Sequence, residues 1–285
     1  MFDILILKIV LVVIACGIAA YTDYKTGLIQ NWLTYPLVVI GLLILVYEAF
    51  LSPIHLGLSY LLTVIFIGIL IYVIGYFMYK HGKLGGGDIK LFIGIHLVIP
   101  YYLGQVVILW LLIIASLLSV LFVSVSYLYR LKQKLKFKGM LKIWLKRKMV
   151  VLKSLVIFII FFVFVYLFVS KFHESWLYFL ILIPILLGLK LMVFEPEVRK
   201  YIYLKNKKIS ELEDGDVLAL DFIKKALLTK LKLKGKSILE ESDIKHIKKM
   251  KGIKSIPIYD FLPRFGPYIF LGLVIVLLSG KFIFF

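Results

Sequence analysis

Two aspartates stand where a carboxylate is costly. Asp23 closes an apolar run that begins at residue 2, and Asp88 follows three glycines in KLGGGDIKL (83–91) and opens another. Ionisable residues in or at the ends of membrane spans are rare and usually functional. Two carboxylates at one depth can share a water. Like-charge repulsion then raises one pKa and leaves the other low. The neutral member can protonate a scissile carbonyl oxygen while the ionised member takes a proton from the water. That is aspartic-protease chemistry, and its substrate is an extended peptide. Gly85, Gly86 and Gly87 lack a Cβ and allow a second backbone to approach closely. A plain glycine turn capped by Asp88, a good N-cap residue, accounts for them as well. The residues alone leave both readings open.

The elements that must position this pair are membrane helices. The chain has 285 residues and is 62% hydrophobic, against about 45–50% in an ordinary soluble domain. Its mean hydropathy is +1.01. A spanning helix needs about 20 apolar residues. Candidate spans are 2–21, 33–50, 57–79, 91–100, 103–129, 154–170, 175–194 and 265–285. The span at 91–100 reaches a useful length only if its helix starts near Gly87–Asp88 and runs to Pro100. The expected fold is an all-α polytopic membrane protein of about eight transmembrane helices, with a small α+β cytoplasmic insert. The expected division is a catalytic transmembrane core at 1–129, a basic cytoplasmic loop at 130–153 and a transmembrane hairpin at 154–194. A small cytoplasmic domain at 195–263 and a C-terminal helix at 264–285 complete it.

Charge sets the expected topology. With the N-terminus outside, the inner segments are 22–32, 80–90, 130–153 and 195–264, and they hold 31 of the 35 Lys and Arg. The outer segments 51–56 and 101–102 hold none and 171–174 holds only Lys171, in agreement with the positive-inside rule. The formal charge of +19 therefore reports topology and not nucleic-acid binding. Asp23 and Asp88 both fall at the cytoplasmic face. Asp3 and Glu174 flank spans, and Glu48, near the outer end of the second span, can snorkel. The first span lacks a basic leading region and a small-residue cleavage site, so it is expected to be retained. Cys16 is the only cysteine, which excludes an intrachain disulfide or a cysteine metal site and leaves helix packing.

Residues 130–153 hold ten Lys and Arg and no acid. They are expected to form a loop or amphipathic helix on anionic headgroups. Residues 201–225 predict strand, turn and strand with Gly215 in the turn. The EDGD within them lacks the ligand spacing and distal Glu of an EF-hand loop. SILEESDIKHIKKM predicts a short helix capped by Ser237 or Ser242.

Three stretches carry a resemblance. Gly85-Gly86-Gly87-Asp88, followed by Lys90, resembles the Gly-x-Gly-Asp signature of the type IV prepilin peptidase and preflagellin peptidase family. TDYKTGLIQNWLTYP resembles that family's other catalytic stretch, an Asp, a basic residue and then Ile-Pro-Asn. Asp23, Lys25, Ile29 and Asn31 match, and Gln30 replaces the proline. IPIYDFLPRFGPYIFLGLVI resembles the family's closing segment through Ile256-Pro257 and Phe265-Gly266-Pro267. The stretches are in family order and span nearly the whole chain.

The resemblance implies an aspartic endopeptidase of the cell membrane with Asp23 and Asp88 catalytic. It implies cleavage of a short basic leader from pilin-like or archaellin precursors at the cytoplasmic face. Gly85, Gly86, Gly87, Lys25 and Lys90 are expected to support the site or substrate. The two lysines either tune the carboxylates or contact membrane lipids. No cofactor or metal is implied. Some bacterial members carry a cysteine-rich insert and a methyltransferase activity. This chain lacks that insert, looks more like an archaeal member, and is expected to be a peptidase alone. The polar insert before the last span favours pilin-like substrates over archaellins. An ion-coupled transporter or channel using the two aspartates is the competing class. Its carboxylates belong at the membrane midplane, whereas these lie at a boundary. A presenilin-like protease is disfavoured because no aspartate lies in the span before Gly85 and no Pro-Ala-Leu follows.

Overall fold

The computed structural model describes residues 2–52, 56–172, 176–223, 238–250, 255–259 and 264–278. Its contacts divide the chain into two compact units, residues 1–116 with 264–285, and residues 117–263.

The first unit is a helical bundle. Helix α1 (Phe2–Thr26) leads through a short loop to α2 (Asn31–Val46), which is prolonged by a wider turn at Tyr47–Leu51. Then come α3 (Gly57–Lys80), α4 (Gly86–Val98) and the start of α5 (Val107–Lys146). Between α4 and α5, strands β1 (Tyr101–Tyr102) and β2 (Gln105–Val106) form a hairpin. Its turn residues Leu103 and Gly104 both have positive φ, 49° and 80°, as a type I′ turn needs. The last described helix of the chain, Gly266–Leu278, packs on α1 and completes this unit.

Helix α4 is the centre. It packs on α1, α2 and α3 and is buried on every face, from Asp88 through Val98. A helix apolar all round has to be enclosed in this way. Thirteen residues rise only about 20 Å, less than the ~30 Å hydrocarbon thickness. Its Leu91, Phe92, Ile95 and Val98 form one core with Ala15, Cys16 and Ala19 of α1, Leu37 of α2 and Ile269 and Leu273 of the last helix. Cys16 thus packs between helices as expected.

Six helical segments among the described residues are long and apolar enough to cross a membrane, and the chain is a multi-pass membrane protein. The eight expected spans each find a helix. Two of these, α4 and the helix at Gly266–Leu278, are short within the described residues. Glu48 does not snorkel: it accepts from the Lys8 ammonium at 2.8 Å and the Tyr60 hydroxyl at 3.0 Å. A partner on a neighbouring helix removes the need to reach for water. Asp3's side chain and Glu174 lie outside the described residues.

The second unit holds the rest of α5, α6 (Lys148–Phe172), α7 (Leu182–Val198) and an α+β part. Strands β3 (Leu204–Lys208) and β4 (Val217–Leu218) flank β5 (Ser255–Tyr259) in a three-stranded antiparallel sheet of order β3-β5-β4. The expected strands are present, and Gly215 sits in the turn at φ +89°. They do not pair with each other, because β5 lies between them. Pro257 is tolerated in this central strand, and its carbonyl accepts from Ala219 N–H at 3.1 Å. Helix α8 (Glu241–Lys248) covers a core of Leu218, Ile244, Ile247, Ile256 and Ile258. Its N-cap is Glu240, not a serine. The Asp243 carboxylate accepts from Glu240 N–H at 3.1 Å and closes the first turn. Ser242 lies inside the helix, and Ser237 is outside the described residues. The EDGD turn is held by Asp216, which accepts from Glu213 N–H at 2.9 Å and from Lys207 at 3.0 Å.

The packing of α2 on α4 depends on Gly41. A Cβ there would lie 2.7 Å from Leu97 Cβ and 3.2 Å from Leu97 carbonyl carbon and Val98 N. Backbone atoms cannot yield cheaply, so Gly41→Ala is expected to destabilise the unit by about 1–3 kcal/mol. Thermal unfolding in detergent would read this as a lowered midpoint. An unchanged midpoint would mean that the two helices do not meet there.

Candidate active site

Five helix ends meet at one end of the first unit. They are the C-termini of α1 and α3 and the N-termini of α2, α4 and the helix starting at Gly266, here α9. Helix α1 stops because Gly27 takes φ +76° and donates its N–H to Asp23 carbonyl at 2.8 Å, a common C-terminal glycine arrangement. The stop leaves Asp23 in the last turn. Asp88 sits in the first turn of α4, where its carboxylate accepts from Gly85 N–H at 3.1 Å. Both aspartates are buried, 5% and 8% exposed, and they are within electrostatic reach of each other.

The glycines can now be assigned one by one. None of the three has a positive φ, so conformational freedom is not their purpose. A Cβ on Gly85 would lie 2.8 Å from the Asp88 carboxylate oxygen, and one on Gly87 would lie 2.8 Å from Ile29 Cβ and 3.0 Å from its carbonyl oxygen. Gly87 therefore lets α4 press against the loop that follows Asp23. The approaching backbone belongs to this chain. Gly86 faces only the Tyr79 ring, at 3.7 Å. The turn is capped, but its N-cap is Gly85; Asp88 is the third helical residue and closes the turn from inside the helix, not as the N-cap residue expected.

The two lysines point elsewhere. The Lys90 ammonium donates to Asn31 Oδ1 at 2.7 Å and lies 4.6 Å from the Tyr35 ring centroid. Lys25 donates to the Tyr21 hydroxyl at 3.2 Å. Lys90 thus ties α4 to the start of α2. With Ile29 against Gly87, the first two motif stretches dock on one another at two points.

The sequence left one part of the site without a role. Gly266 N–H donates to Asp23 Oδ2 at 2.8 Å, across 243 positions. Arg264 lies near enough for its charge to act on Asp23, and its guanidinium carbon is 5.8 Å from the Tyr24 ring centroid. Phe265-Gly266-Pro267 was visible as a motif, but nothing local says what its backbone meets. The arrangement offers two buried carboxylates within electrostatic reach of each other, Asp23 held by the backbone of Gly266 and Phe265 and Asp88 by that of Gly85.

Residues 10–125 match the type IV leader peptidase family, and both aspartates lie within them. The chain is also 32% identical over 96 residues to Prepilin peptidase EppA of Methanothermobacter thermautotrophicus (strain Delta H). The alignment takes in 34% of this chain and 24% of that protein, so the chain spans about a quarter of the relative's length. No solved structure matches. The likeness to the type IV leader peptidase family thus rests on the membrane region at 10–125.

Gly266→Ala tests the long-range contact. Its Cβ would lie 2.9 Å from Asp23 Cβ, 3.0 Å from Asp23 Oδ2 and 3.3 Å from Ala19 carbonyl oxygen. A hydrogen bond to a charged group contributes about 1.5–3 kcal/mol, so cleavage of a leader-bearing precursor should fall roughly 10- to 100-fold in protein that still inserts. Full activity would show that this contact does not support the site.

Proposed function

We propose that the chain is an aspartic endopeptidase that removes the short basic leader from pilin-like precursors at the cytoplasmic membrane face, without a methyltransferase activity. One observation carries the reading: Asp23 and Asp88 are buried together at one end of the helical bundle, on two motif stretches that dock on each other. The family match over 10–125 and the likeness to a prepilin peptidase support it.

The chemistry follows from the pair. Two close carboxylates hold one proton between them. The protonated one donates to the scissile carbonyl oxygen while the other draws a proton from the attacking water. The water adds to the carbonyl carbon, and the second proton transfer releases the amine of the shortened precursor. Neither residue can fill both roles. The apparent pKa values of the bell-shaped rate profile belong to the pair and not to either residue. Gly85, Gly86 and Gly87 keep the start of α4 free of side chains, and Gly86 is the position where a substrate strand has most room. Pilin-like precursors are preferred to archaellins on the strength of the polar insert alone. Co-expression with each precursor and N-terminal sequencing of the products decides between them.

Asp23→Asn and Asp88→Asn keep the shape and cannot exchange a proton. Each is expected to abolish leader removal, and the double variant should be little worse than either single one. Substantial cleavage by either variant, with insertion verified, would rule out a two-aspartate mechanism. Cleavage by purified protein without an ion gradient separates this reading from a transporter.

The face of action is tested by labelling. A cysteine replacing Leu103, which is 52% exposed in the β1–β2 turn, should react from outside. One replacing Asp214 should react only after permeabilisation. Cys16 is fully buried and gives little background. The reverse pattern would put both aspartates at the outer face and defeat the cytoplasmic assignment.

A further inference from the structure

The second unit contains a concave site unrelated to the aspartates. Helix α5 breaks at Lys136, whose backbone takes φ 55° and ψ 168°. The segment after the break turns against α7 and is anchored there. The Arg147 guanidinium donates to Val193 carbonyl at 2.5 Å and to the Glu197 carboxylate at 2.7 Å, and the Trp144 ring lies 6.2 Å from that of Phe194. Between the two arms of α5 and α7 lies an open cavity of about 500 Å³. Phe137, Leu141, Trp144 and Phe194 give it apolar walls, and Lys132 and Lys190, each with an ammonium group at its tip, line it as well.

Those ammonium groups are not neutralised by the acids closest in sequence. Glu197 is taken by Arg147 and Glu195 by Arg199, and residues 130–153 contain no acid at all. A site with cationic side chains and an apolar interior suits an amphiphile with an anionic head. Basic pockets between membrane helices bind phosphate-bearing lipid heads in this way, and the volume is that of an ordinary ligand pocket. A basic leader peptide is the wrong charge for it. An apolar helix from a second copy would leave both lysines unpaired.

We propose that this cavity is a binding site for one anionic phospholipid of the bilayer, its phosphate held by Lys132 and Lys190 and its chains lying along Phe137, Leu141 and Trp144. The site is saturable, unlike the diffuse attraction between a basic surface and headgroups. It is independent of the proteolytic reading and survives the failure of that reading.

The full chain, reconstituted in phosphatidylcholine vesicles, is the material for the test. Either brominated phosphatidylglycerol or brominated phosphatidylcholine is added at equal mole fraction. Quenching at Trp144 is read as the difference from Trp144→Phe. Brominated phosphatidylglycerol should quench several-fold more and should saturate. Removing each lysine should weaken the preference about fivefold, so K132Q/K190Q should erase it. The charge-conserving K132R/K190R pair should retain it and shows that the fold tolerates change there. Equal quenching by both lipids, a preference that survives in K132Q/K190Q, or no quenching by either would overturn the proposal, the last because protein would then cover the cavity. Loss of the preference on adding millimolar inorganic phosphate would assign the lysines to free phosphate and overturn it as well.

Discussion

A carboxylate at the end of α1 must be met before it can be buried, and the group that meets it comes from the far end of the chain. Asp23 is 5% exposed, and Gly266 N–H reaches it at 2.8 Å. Leaving such a charge unpaired in an apolar bundle is costly enough to expel it or to neutralise it. The contact therefore dictates where α9 begins. It also dictates the residue, since any side chain at 266 would occupy the place of the carboxylate. From that point α9 runs against α1, and Gly272 lets it approach α5 at Ala115, where a Cβ would come within 3.1 Å of backbone nitrogen.

The same logic governs α4, which can be short because it is surrounded. Close packing of a short helix calls for small residues at its crossings, and Gly87, Gly94 and Gly41 provide them against Ile29, Leu37 and Leu97. Polar groups then collect at the two ends of the bundle. The aspartates lie at one end. Lys8, Glu48 and Tyr60 form a bonded group on α1, α2 and α3, away from it. Between them, His96 of α4 is fully buried and lies 3.0 Å from Val64 carbonyl through Nε2. The middle of the bundle is otherwise apolar among the described residues, so the aspartate pair lies at the edge of an apolar interior.

Much of this was legible in the sequence, and the limits are physical. Apolar runs located the helices because the bilayer fixes their length, and Asp23 and Asp88 stood out because charge is rare there. Motif order carried the resemblance to the family. Contacts that depend on distant chain were not legible. Nothing near Phe265-Gly266-Pro267 reports that its N–H faces Asp23. Glu48 was read only as able to snorkel, because Lys8, forty positions away, carries no local sign of being its partner. Strands β3 and β4 were sited, but the strand that lies between them in the sheet was not, since it follows about forty residues later. The break at Lys136 has neither proline nor glycine at the position itself, and sequence offers no other dependable sign of a kink.

The family match ends at residue 125, yet the site does not. Both aspartates, the glycines, Ile29, Asn31 and Lys90 all lie inside it. The backbone donor to Asp23 and the nearby Arg264 lie outside, beyond a second unit with hydrophobic cores of its own. A chain can hold 147 intervening residues between the parts of one site only if the intervening part folds for itself. Otherwise, ordering it would draw on the stability of the bundle it interrupts. The separate cores make that insertion tolerable, and they free the second unit's surface for a task other than the chemistry. The catalytic proposal and the lipid proposal therefore concern different cores, and neither depends on the other.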